Sequence, residues 1–361
     1  MIADPARVLL VTLMDPNAPP GGREQLARLN ARVLGALFGD GLTVHRLVKG
    51  PGPNLIHVAR GHLNGLCARE IARIVARVEE AGAGQVFVDG SNLGQVVAPI
   101  KRAHPQVRIV TFCHNVEARF FHGAARAKRT ALSLGLLATA WAAERRAVRH
   151  SDAIVCLSAR DSDALRRLYG RGADHVSPLA LEDALPSPVP AIPAHRERYL
   201  LFVGGAFYAN RRGVEWFARE VAPRSLLPIA IVGEGMETLR DTLGGSLRIV
   251  GATDDLARWY LGAHCVVAPI FEGSGMKTKI AEALMFGKRI IGTREAYSGY
   301  GSDVVAAGWQ ADDAPAFLAA IAEAAAADLS AFDPAIRALY ENTHSVAAAT
   351  RRMEEIMLPG R

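Results

Sequence analysis

Cysteine is scarce in this chain of 361 residues, and its four cysteines form no Cys-x-x-Cys pair. Zinc-binding cysteines usually come in such close pairs, and disulfide-rich domains carry more of them, so the sequence predicts neither kind of centre. Aromatic residues make up only 6% of the chain, and no basic run is interleaved with them. Base-stacking platforms need such aromatics, and we therefore expect no metal and no nucleic-acid partner.

Long hydrophobic runs are also missing. The longest apolar stretch, Ala131 to Ala143, is shorter than the ~20 residues that a helix needs to cross a bilayer. The N-terminal stretch Met1–Met14 lacks both the basic lead and the cleavage site of a signal peptide. We expect a cytoplasmic protein, at the inner face of the membrane if it contacts lipid.

Lysine is scarce as well, so the formal charge of +6 comes mainly from arginines scattered through alanine-rich stretches. This pattern is typical of solvated helix faces. A second interpretation is a basic face that contacts anionic lipid, and it centres on the region between Arg119 and Arg149. There, seven basic residues flank an apolar set that includes Phe120, Leu134 and Trp141.

Short apolar runs alternate with longer amphipathic stretches throughout the chain, which predicts βαβ units and parallel sheets. Because four prolines lie between Leu181 and Arg196, we expect that segment to form neither a helix nor a central strand. We therefore predict an N-terminal domain of residues 1–180, a linker of 181–197 and a C-terminal domain of 198–361, with the last helix free to pack back on the first domain. Ligands should bind at the strand carboxyl ends, in a central cleft that the two Rossmann-like, doubly wound domains face.

The periodicity also predicts individual helices. The longest is a helical region over about Val116–His150, broken or bent near Gly123 and Gly135. Shorter helices are predicted over three further stretches: His62–Ala81, Val214–Glu220 and Met236–Leu243.

A glycine loop carries the clearest functional signal. The strand ending at Pro269 runs into Gly273-Ser274-Gly275, and a helix follows from Thr278. Glycines let backbone amides approach a ligand, and a helix N-terminus attracts anions. Lys277 and Lys279 add positive charge, and the Glu282 carboxylate can accept hydrogen bonds from a ribose diol. Together these groups suit a nucleoside diphosphate, whereas a tight turn with solvated lysines is the alternative.

Four segments in this order resemble the family 4, or group 1, glycosyltransferases. They are FEGSGMKTKIAEALMFGKRIIGT (271–293), LFVGGAFYANRRGVEWFAREVAP (201–223), CHNVEARFF (113–121) and ERRAVRHSDAIVCLSARD (144–161). The resemblance is closest to the bacterial polysaccharide-assembly branch, which carries Gly-Ser-Gly-x-Lys. It implies the GT-B architecture and a hexosyltransferase that retains configuration at the anomeric carbon.

The resemblance also implies a set of donor-binding residues: Gly21, Gly22, Arg212, Gly273, Ser274, Gly275, Met276, Lys277, Thr278 and Glu282. Two positions depart from the family pattern, since Ser274 stands where many members have a first glutamate and Ala206 stands where many have arginine. Because lysine, arginine and helix ends can neutralise a diphosphate, we expect neither a metal nor another cofactor.

His114 and Glu117 are the candidate catalytic residues. His114 follows the fourth predicted strand, and the resemblance places a cleft histidine there that contacts the donor sugar. Glu117, within one turn of it, could orient an acceptor hydroxyl or act as a base. Each also has a purely structural interpretation. His114 could be a histidine that only satisfies a hydrogen-bond partner, and Glu117 could be a carboxylate that the helix dipole favours in a first turn.

The sequence therefore predicts a glycosyltransferase that moves a sugar from a nucleotide-sugar donor to a glycan or lipid-linked acceptor in surface polysaccharide or glycoconjugate synthesis. Two alternatives stay open. One is a nucleotide-sugar epimerase or sugar-phosphate synthase on the same fold, and the other is a non-catalytic sugar-nucleotide-binding subunit of an assembly complex.

Overall fold

The computed structural model of the protein describes residues 4–14, 22–47, 58–59, 61–63, 66–189, 197–243, 245, 247–273 and 275–359. The chain divides into two compact units, the first formed by Met1–Leu179 with Ala349–Arg361 and the second by Ala180–Ala348. Each unit contains a six-stranded parallel sheet flanked by helices. The prediction of two Rossmann-like α/β domains is confirmed.

The sheet of the first unit has the strand order β2-β1-β3-β4-β5-β6. Its middle strands are buried on both faces, which is the burial expected of a parallel sheet covered by helices. Aliphatic side chains between this sheet and the helices form its core. The strands are β1 (Asp4–Thr12), β2 (Leu42–Arg46), β3 (Ala83–Asp89), β4 (Arg108–Cys113), β5 (Ala153–Cys156) and β6 (His175–Val176).

The α-helices of the first unit include the last helix of the chain. Backbone carbonyls of this helix accept hydrogen bonds from side chains of the sheet. Arg108 of β4 donates to the carbonyl of Ile356 at 2.8 Å, and Gln85 of β3 donates to that of Met357 at 3.1 Å. The helices are α1 (Gly22–Phe38), α2 (Ala68–Glu80), α3 (Val97–Ala103), α4 (Glu117–Lys128), α5 (Ala131–His150), α6 (Ala159–Tyr169) and, at the end of the chain, α13 (Val346–Met357).

The second unit has the strand order β12-β11-β10-β7-β8-β9, which is the 3-2-1-4-5-6 order of a Rossmann sheet counted from β7. Its strands are β7 (Leu200–Val203), β8 (Ile229–Val232), β9 (Arg248–Gly251), β10 (Cys265–Ala268), β11 (Ile290–Gly292) and β12 (Trp309–Gln310). Its helices are α7 (Tyr208–Glu220), α8 (Leu256–Gly262), α9 (Thr278–Met285), α10 (Ser302–Ala306), α11 (Ala314–Ala326) and α12 (Pro334–Leu339).

Four predicted helix boundaries were wrong. The long helical region divides at Arg129, which has a left-handed φ of 47°, and at Thr130, whose side chain caps α5. Gly123 and Gly135 instead lie inside helices. Three other helices differ in their ends or type: α2 begins at Ala68 rather than His62, α7 begins at Tyr208 rather than Val214, and the stretch predicted as Met236–Leu243 is a 3-10 turn of Met236–Leu239.

Candidate functional site

In the first unit, four polar side chains meet where strand order reverses, between β1 and β3. Thr12 at the end of β1 donates to Asp89 Oδ2 at 2.6 Å, and Asn30 of α1 donates to Asp89 Oδ1 at 2.9 Å. His114, directly after β4, lies with Nε2 2.6 Å from the same Oδ1. Ligands of open α/β sheets bind at such switch points, beyond the strand carboxyl ends. His114 thus lies at the carboxyl end of β4, and its contact with a donor sugar stays a prediction.

The charge state of Asp89 fixes the orientation of His114. Burial opposes ionisation of Asp89, but the nearby His114 and the three hydrogen bonds outweigh it and lower the pKa of the carboxyl. An ionised carboxylate only accepts, so Nε2 of His114 carries the hydrogen and donates it. Nδ1 is then left buried without a hydrogen-bond partner among the described residues. In the neutral ring, Nδ1 can accept a hydrogen bond from a hydroxyl group.

Glu117, the second candidate catalytic residue, begins α4 and is buried, with 2% of its surface exposed. Its Oε1 lies 3.6 Å from Arg23 Nη2 at the start of α1. Its backbone amide donates to Glu144 Oε1 at 2.8 Å. The structure thus brings Glu117 close to a basic side chain, and its role in catalysis stays a prediction.

Glu144 of α5 is a buried carboxylate that sequence reasoning missed. It accepts hydrogen bonds from the amides of Glu117 and Ala118, from Ser91 Oγ at 2.9 Å and from Tyr169 Oη at 2.7 Å. Burial raises its pKa to about 7, against the effect of these hydrogen bonds. Glu144 therefore fixes the first turn of α4, and with it the backbone just after His114.

Replacing Glu144 with alanine should lower the free energy of unfolding by about 3 kcal/mol, because it leaves several buried donors unpaired and opens a cavity. Denaturant unfolding of Glu144→Ala and of Glu79→Ala provides the measurement, since Glu79 is an exposed acid of α2. The Glu79 variant should stay within ~0.5 kcal/mol of the wild type. Equal stability of both variants would contradict the bracing role of Glu144.

In the second unit, the glycine loop lies between the end of β10 and the start of α9, as the sequence predicts. Gly273 and Gly275 have φ angles of 137° and 68°, a region that side chains strongly disfavour. Tyr300 holds the start of the helix, since its hydroxyl donates to the carbonyl of Lys277 at 2.7 Å and accepts from the amide of Ala281 at 3.2 Å. The loop therefore presents a fixed helix N-terminus next to β7, at the second switch point.

Lys279 is the buried cation of this site. Its exposed fraction is 7%, and Nζ donates to Asn210 Oδ1 at 2.8 Å and lies 4.9 Å from the ring centre of Phe202. Burial lowers its pKa to about 8, with Glu282 opposing and Lys277 reinforcing the shift. No carboxylate of the described residues forms an ion pair with Lys279. An anionic ligand would supply that missing counter-charge.

Two of the predicted phosphate ligands are already engaged. Lys277 Nζ donates to the carbonyl of Gly275 at 2.8 Å and to Glu295 Oε1 at 3.1 Å. Arg212 is exposed and forms a salt bridge of 2.6 Å with Glu272 Oε1. Because a diphosphate would have to compete with these carboxylates, the geometry favours Lys279 over both.

Glu282, the predicted ribose ligand, lies one turn beyond Lys279 on α9. Tyr260 Oη donates to Glu282 Oε2 at 2.7 Å, and the Tyr260 ring stacks on Phe286 at 4.7 Å between centres. Burial raises the pKa of Glu282, while Tyr260 and Lys279 lower it. The carboxylate is thus held in one orientation, with Oε1 left for a ligand hydroxyl.

The remaining predicted donor residues are placed as follows. Gly22 begins α1, Met276 is buried and Thr278 is the first residue of α9. Gly21 and Ser274 lie outside the described residues. Within the described parts of the chain, no group of three or more His, Cys, Asp and Glu side chains could hold a metal ion.

Asp89 and Asn210 are further polar residues that sequence reasoning missed. Each contacts a candidate ligand-binding side chain from a distant part of the chain. A signal was present for Asp89, since an acidic residue ends a strand that is otherwise apolar except for Gln85. Asn210 gave none, because its contact depends on strand order.

The comparisons with known proteins bear first on the second unit. Residues 197–329 match the family model described as glycosyl transferases, group 1. This segment is therefore similar to the group 1 glycosyltransferases. It contains β7, the glycine loop, Lys279 and Glu282. No curated protein sequence matches the chain significantly.

Solved structures match the whole chain. The sucrose-phosphate synthase of Thermosynechococcus elongatus superposes with a TM-score of 0.74 at 17% identity, covering 97% of this chain and 98% of that one. HepE of Anabaena in complex with UDP gives 0.65 at 14% identity, with 97% and 99% covered. A glycosyltransferase of Rickettsia africae gives 0.66 at 13% identity, with 98% and 99% covered. The fold of the chain is therefore GT-B.

Proposed function

We propose that this protein is a glycosyltransferase that binds a nucleotide-sugar donor in its second unit and transfers the sugar to a glycan or lipid-linked acceptor. The proposal is carried by the buried ammonium of Lys279 at the start of α9, which forms no ion pair with a carboxylate of the described residues. Burying a charge is costly unless a counter-charge compensates it. A diphosphate at the helix N-terminus would supply one.

The neighbouring groups narrow the ligand to a nucleoside diphosphate. Glu282 stands one helical turn from Lys279, and Tyr260 orients its carboxylate. A carboxylate held in this way accepts hydrogen bonds from hydroxyls, as a ribose provides. Structures of Anabaena HepE carry UDP or UDP-glucose, and we infer a donor of the same chemical class here.

In this proposal, lysine and the helix terminus neutralise the diphosphate charge without a metal, and transfer proceeds with retention. His114 contacts the transferred sugar, while Glu117 orients the acceptor. The reaction belongs to surface polysaccharide or glycoconjugate synthesis, in the family 4 branch that the Gly-Ser-Gly-x-Lys loop resembles.

The test is release of nucleoside diphosphate across a panel of nucleotide sugars, with and without a bacterial membrane extract. Release that requires the extract is the expected result, and it identifies the donor. Release that requires a free sugar phosphate instead would indicate a synthase with a soluble acceptor. Donor binding without release under either condition would indicate the non-catalytic binding subunit.

The affinity for UDP should depend on pH through Lys279. The ammonium is charged below its pKa of about 8 and becomes neutral above it. Affinity should therefore be constant from pH 6.5 to 7.5 and fall by up to about tenfold per unit above pH 8. Titration calorimetry on the wild type and on Lys279→Met checks this, because the variant should lose the effect while any titration of UDP itself remains. Parallel profiles for the two proteins would contradict it.

A lipid-linked acceptor fits the exposed surface of α4 and α5. Leu134, Trp141, Arg145 and Arg149 share one exposed face of α5, with the guanidinium of Arg145 5.3 Å from the ring centre of Trp141. The only acidic residues between 117 and 150 are Glu117 and Glu144, both buried. Every charged side chain that this surface exposes is thus basic, which suits an anionic membrane surface. None of the described helices is both long and apolar enough to cross a bilayer.

Reversing two charges on this face should weaken membrane binding. Arg145→Glu with Arg149→Glu should reduce binding to vesicles containing anionic lipid at least tenfold, since each basic residue near such a surface contributes about 1 kcal/mol. Co-sedimentation with vesicles gives the measurement. The matched control reverses Arg69 and Arg73, which have the same spacing on the exposed face of α2. Equal losses of vesicle binding for the two pairs would show that binding depends on the total charge and not on this face of α5.

A further inference from the structure

Asn92 is a buried side chain whose hydrogen bonds are unmade. It lies in the 3-10 turn Ser91–Val96 after β3, and only 1% of its surface is exposed. Neither Oδ1 nor Nδ2 has a hydrogen-bond partner among the residues that the structure describes. Buried side-chain amides are normally paired. A side chain with both groups unpaired at a strand end indicates that a ligand completes it.

The backbone before Asn92 leaves room for its amide. Gly90 has a φ of 128°, and a Cβ there would come within 2.4 Å of Asn92 Oδ1 and 3.3 Å of Arg23 Nη2. A side chain at position 90 would therefore displace the amide. Gly90 follows Asp89, the partner of His114. The amide thus lies at the carboxyl end of β3, beside the strand end that carries His114.

The unpaired atoms define the chemistry of the ligand. Asn92 offers an amide nitrogen that donates and an oxygen that accepts, and Nδ1 of a neutral His114 ring accepts when Nε2 donates to Asp89. A phosphate could satisfy the donor and lie near Arg23, but it would also face two acceptors and the carboxylate of Asp89. A cation would leave the donor unpaired. A hydroxyl both donates and accepts, so neighbouring hydroxyls of a neutral sugar satisfy all three atoms.

We propose that Asn92 binds hydroxyl groups of a neutral sugar, together with Nδ1 of His114, in the first unit of the protein. This inference rests on the proposed function and adds to it a residue that selects a sugar by its hydroxyl pattern. The sugar belongs either to the donor or to the acceptor, and the experiment distinguishes these two sources.

The test compares Asn92→Ala and Asn92→Ser with the wild type. Calorimetry measures affinity for the nucleotide sugar that the wild type turns over and for its nucleoside diphosphate alone, starting with UDP-glucose and UDP. Steady-state kinetics give KM for donor and acceptor, and thermal unfolding gives Tm. Asn30→Ala is the matched stability control, because Asn30 is equally buried but already donates to Asp89.

Asn92→Ala should reduce kcat/KM at least tenfold, leave UDP affinity within twofold, and keep Tm equal to or above that of the wild type. Serine should restore part of the loss, and Asn30→Ala should lower Tm. A weaker affinity for UDP-glucose with unchanged UDP affinity assigns the site to the donor sugar, whereas a raised KM for the acceptor alone assigns it to the acceptor.

Two results would overturn the inference. One is a kcat/KM for Asn92→Ala within twofold of the wild type, and the other is a Tm that falls as far as that of Asn30→Ala. If the wild type itself binds no nucleotide sugar, the proposed function fails and this inference with it. That failure is visible in the wild type alone and differs from a failure confined to the Asn92 variants.

Discussion

Replacing Lys279 with methionine should lower kcat/KM for the nucleotide-sugar donor about 10- to 100-fold while leaving the fold intact. A hydrogen bond to a charged group contributes about 1.5–3 kcal/mol, and the diphosphate would lose its buried counter-charge. Methionine fills a similar volume, and the substitution removes a charge whose burial already lowers its pKa to about 8. The expected Tm is therefore equal to or above that of the wild type.

Lys288→Met is the matched control for this variant. Lys288 is equally buried, in the same unit, but its ammonium donates to the carbonyls of Leu261 and Ala263 at 2.9 Å each and also to that of Ala331. Its removal should lower Tm and leave the donor KM of the remaining folded protein unchanged. If both variants lose stability and activity together, Lys279 is a structural lysine and the proposed diphosphate site is wrong.

Substitution of His114 by glutamine should lower kcat about 100-fold and leave nucleotide affinity unchanged. This loss is at the lower end of the rate contribution that a positioned acid–base group makes. The amide of glutamine can still donate to Asp89, so the buried carboxylate keeps a partner and the fold persists. What the variant lacks is Nδ1, the acceptor that faces the substrate in this account. Single-turnover kinetics and calorimetry with UDP separate the two effects.

His114→Ala serves as the contrast. It leaves Asp89 as a buried carboxylate with two hydrogen bonds rather than three, so it should lose ~3 kcal/mol of stability as well as activity. Full activity in the glutamine variant would show that His114 only supports Asp89, and catalysis would then have to involve other residues.

The fold could be predicted because buried parallel strands and amphipathic helices have distinct periods. The runs Val8–Val11 and Leu200–Val203 are wholly buried in the structure, as expected for parallel strands. Helix ends were harder to predict. The division between α4 and α5 occurs at Arg129, a non-glycine residue in a left-handed conformation. The amino-acid sequence around it gives no indication of that conformation.

The candidate site could be predicted only where its residues lie close together in the sequence. The glycine loop and α9 are contiguous, so their arrangement follows from the sequence between Pro269 and Leu284. The pairing of Asp89 with His114 depends instead on β3 lying next to β4. The preference for Lys279 over Lys277 also needed the structure, because both lysines flank the helix start and only burial and the contact with Glu295 distinguish them.

The most direct test of the central claim is calorimetric titration of the wild-type protein with UDP in the presence of EDTA. The account predicts binding of one UDP per chain without a divalent metal, weakened at least tenfold by Lys279→Met and unaffected by an exposed substitution such as Glu79→Ala. Absence of binding to UDP and to every other nucleoside diphosphate, or binding that Lys279→Met leaves unchanged, would contradict a donor site at the start of α9.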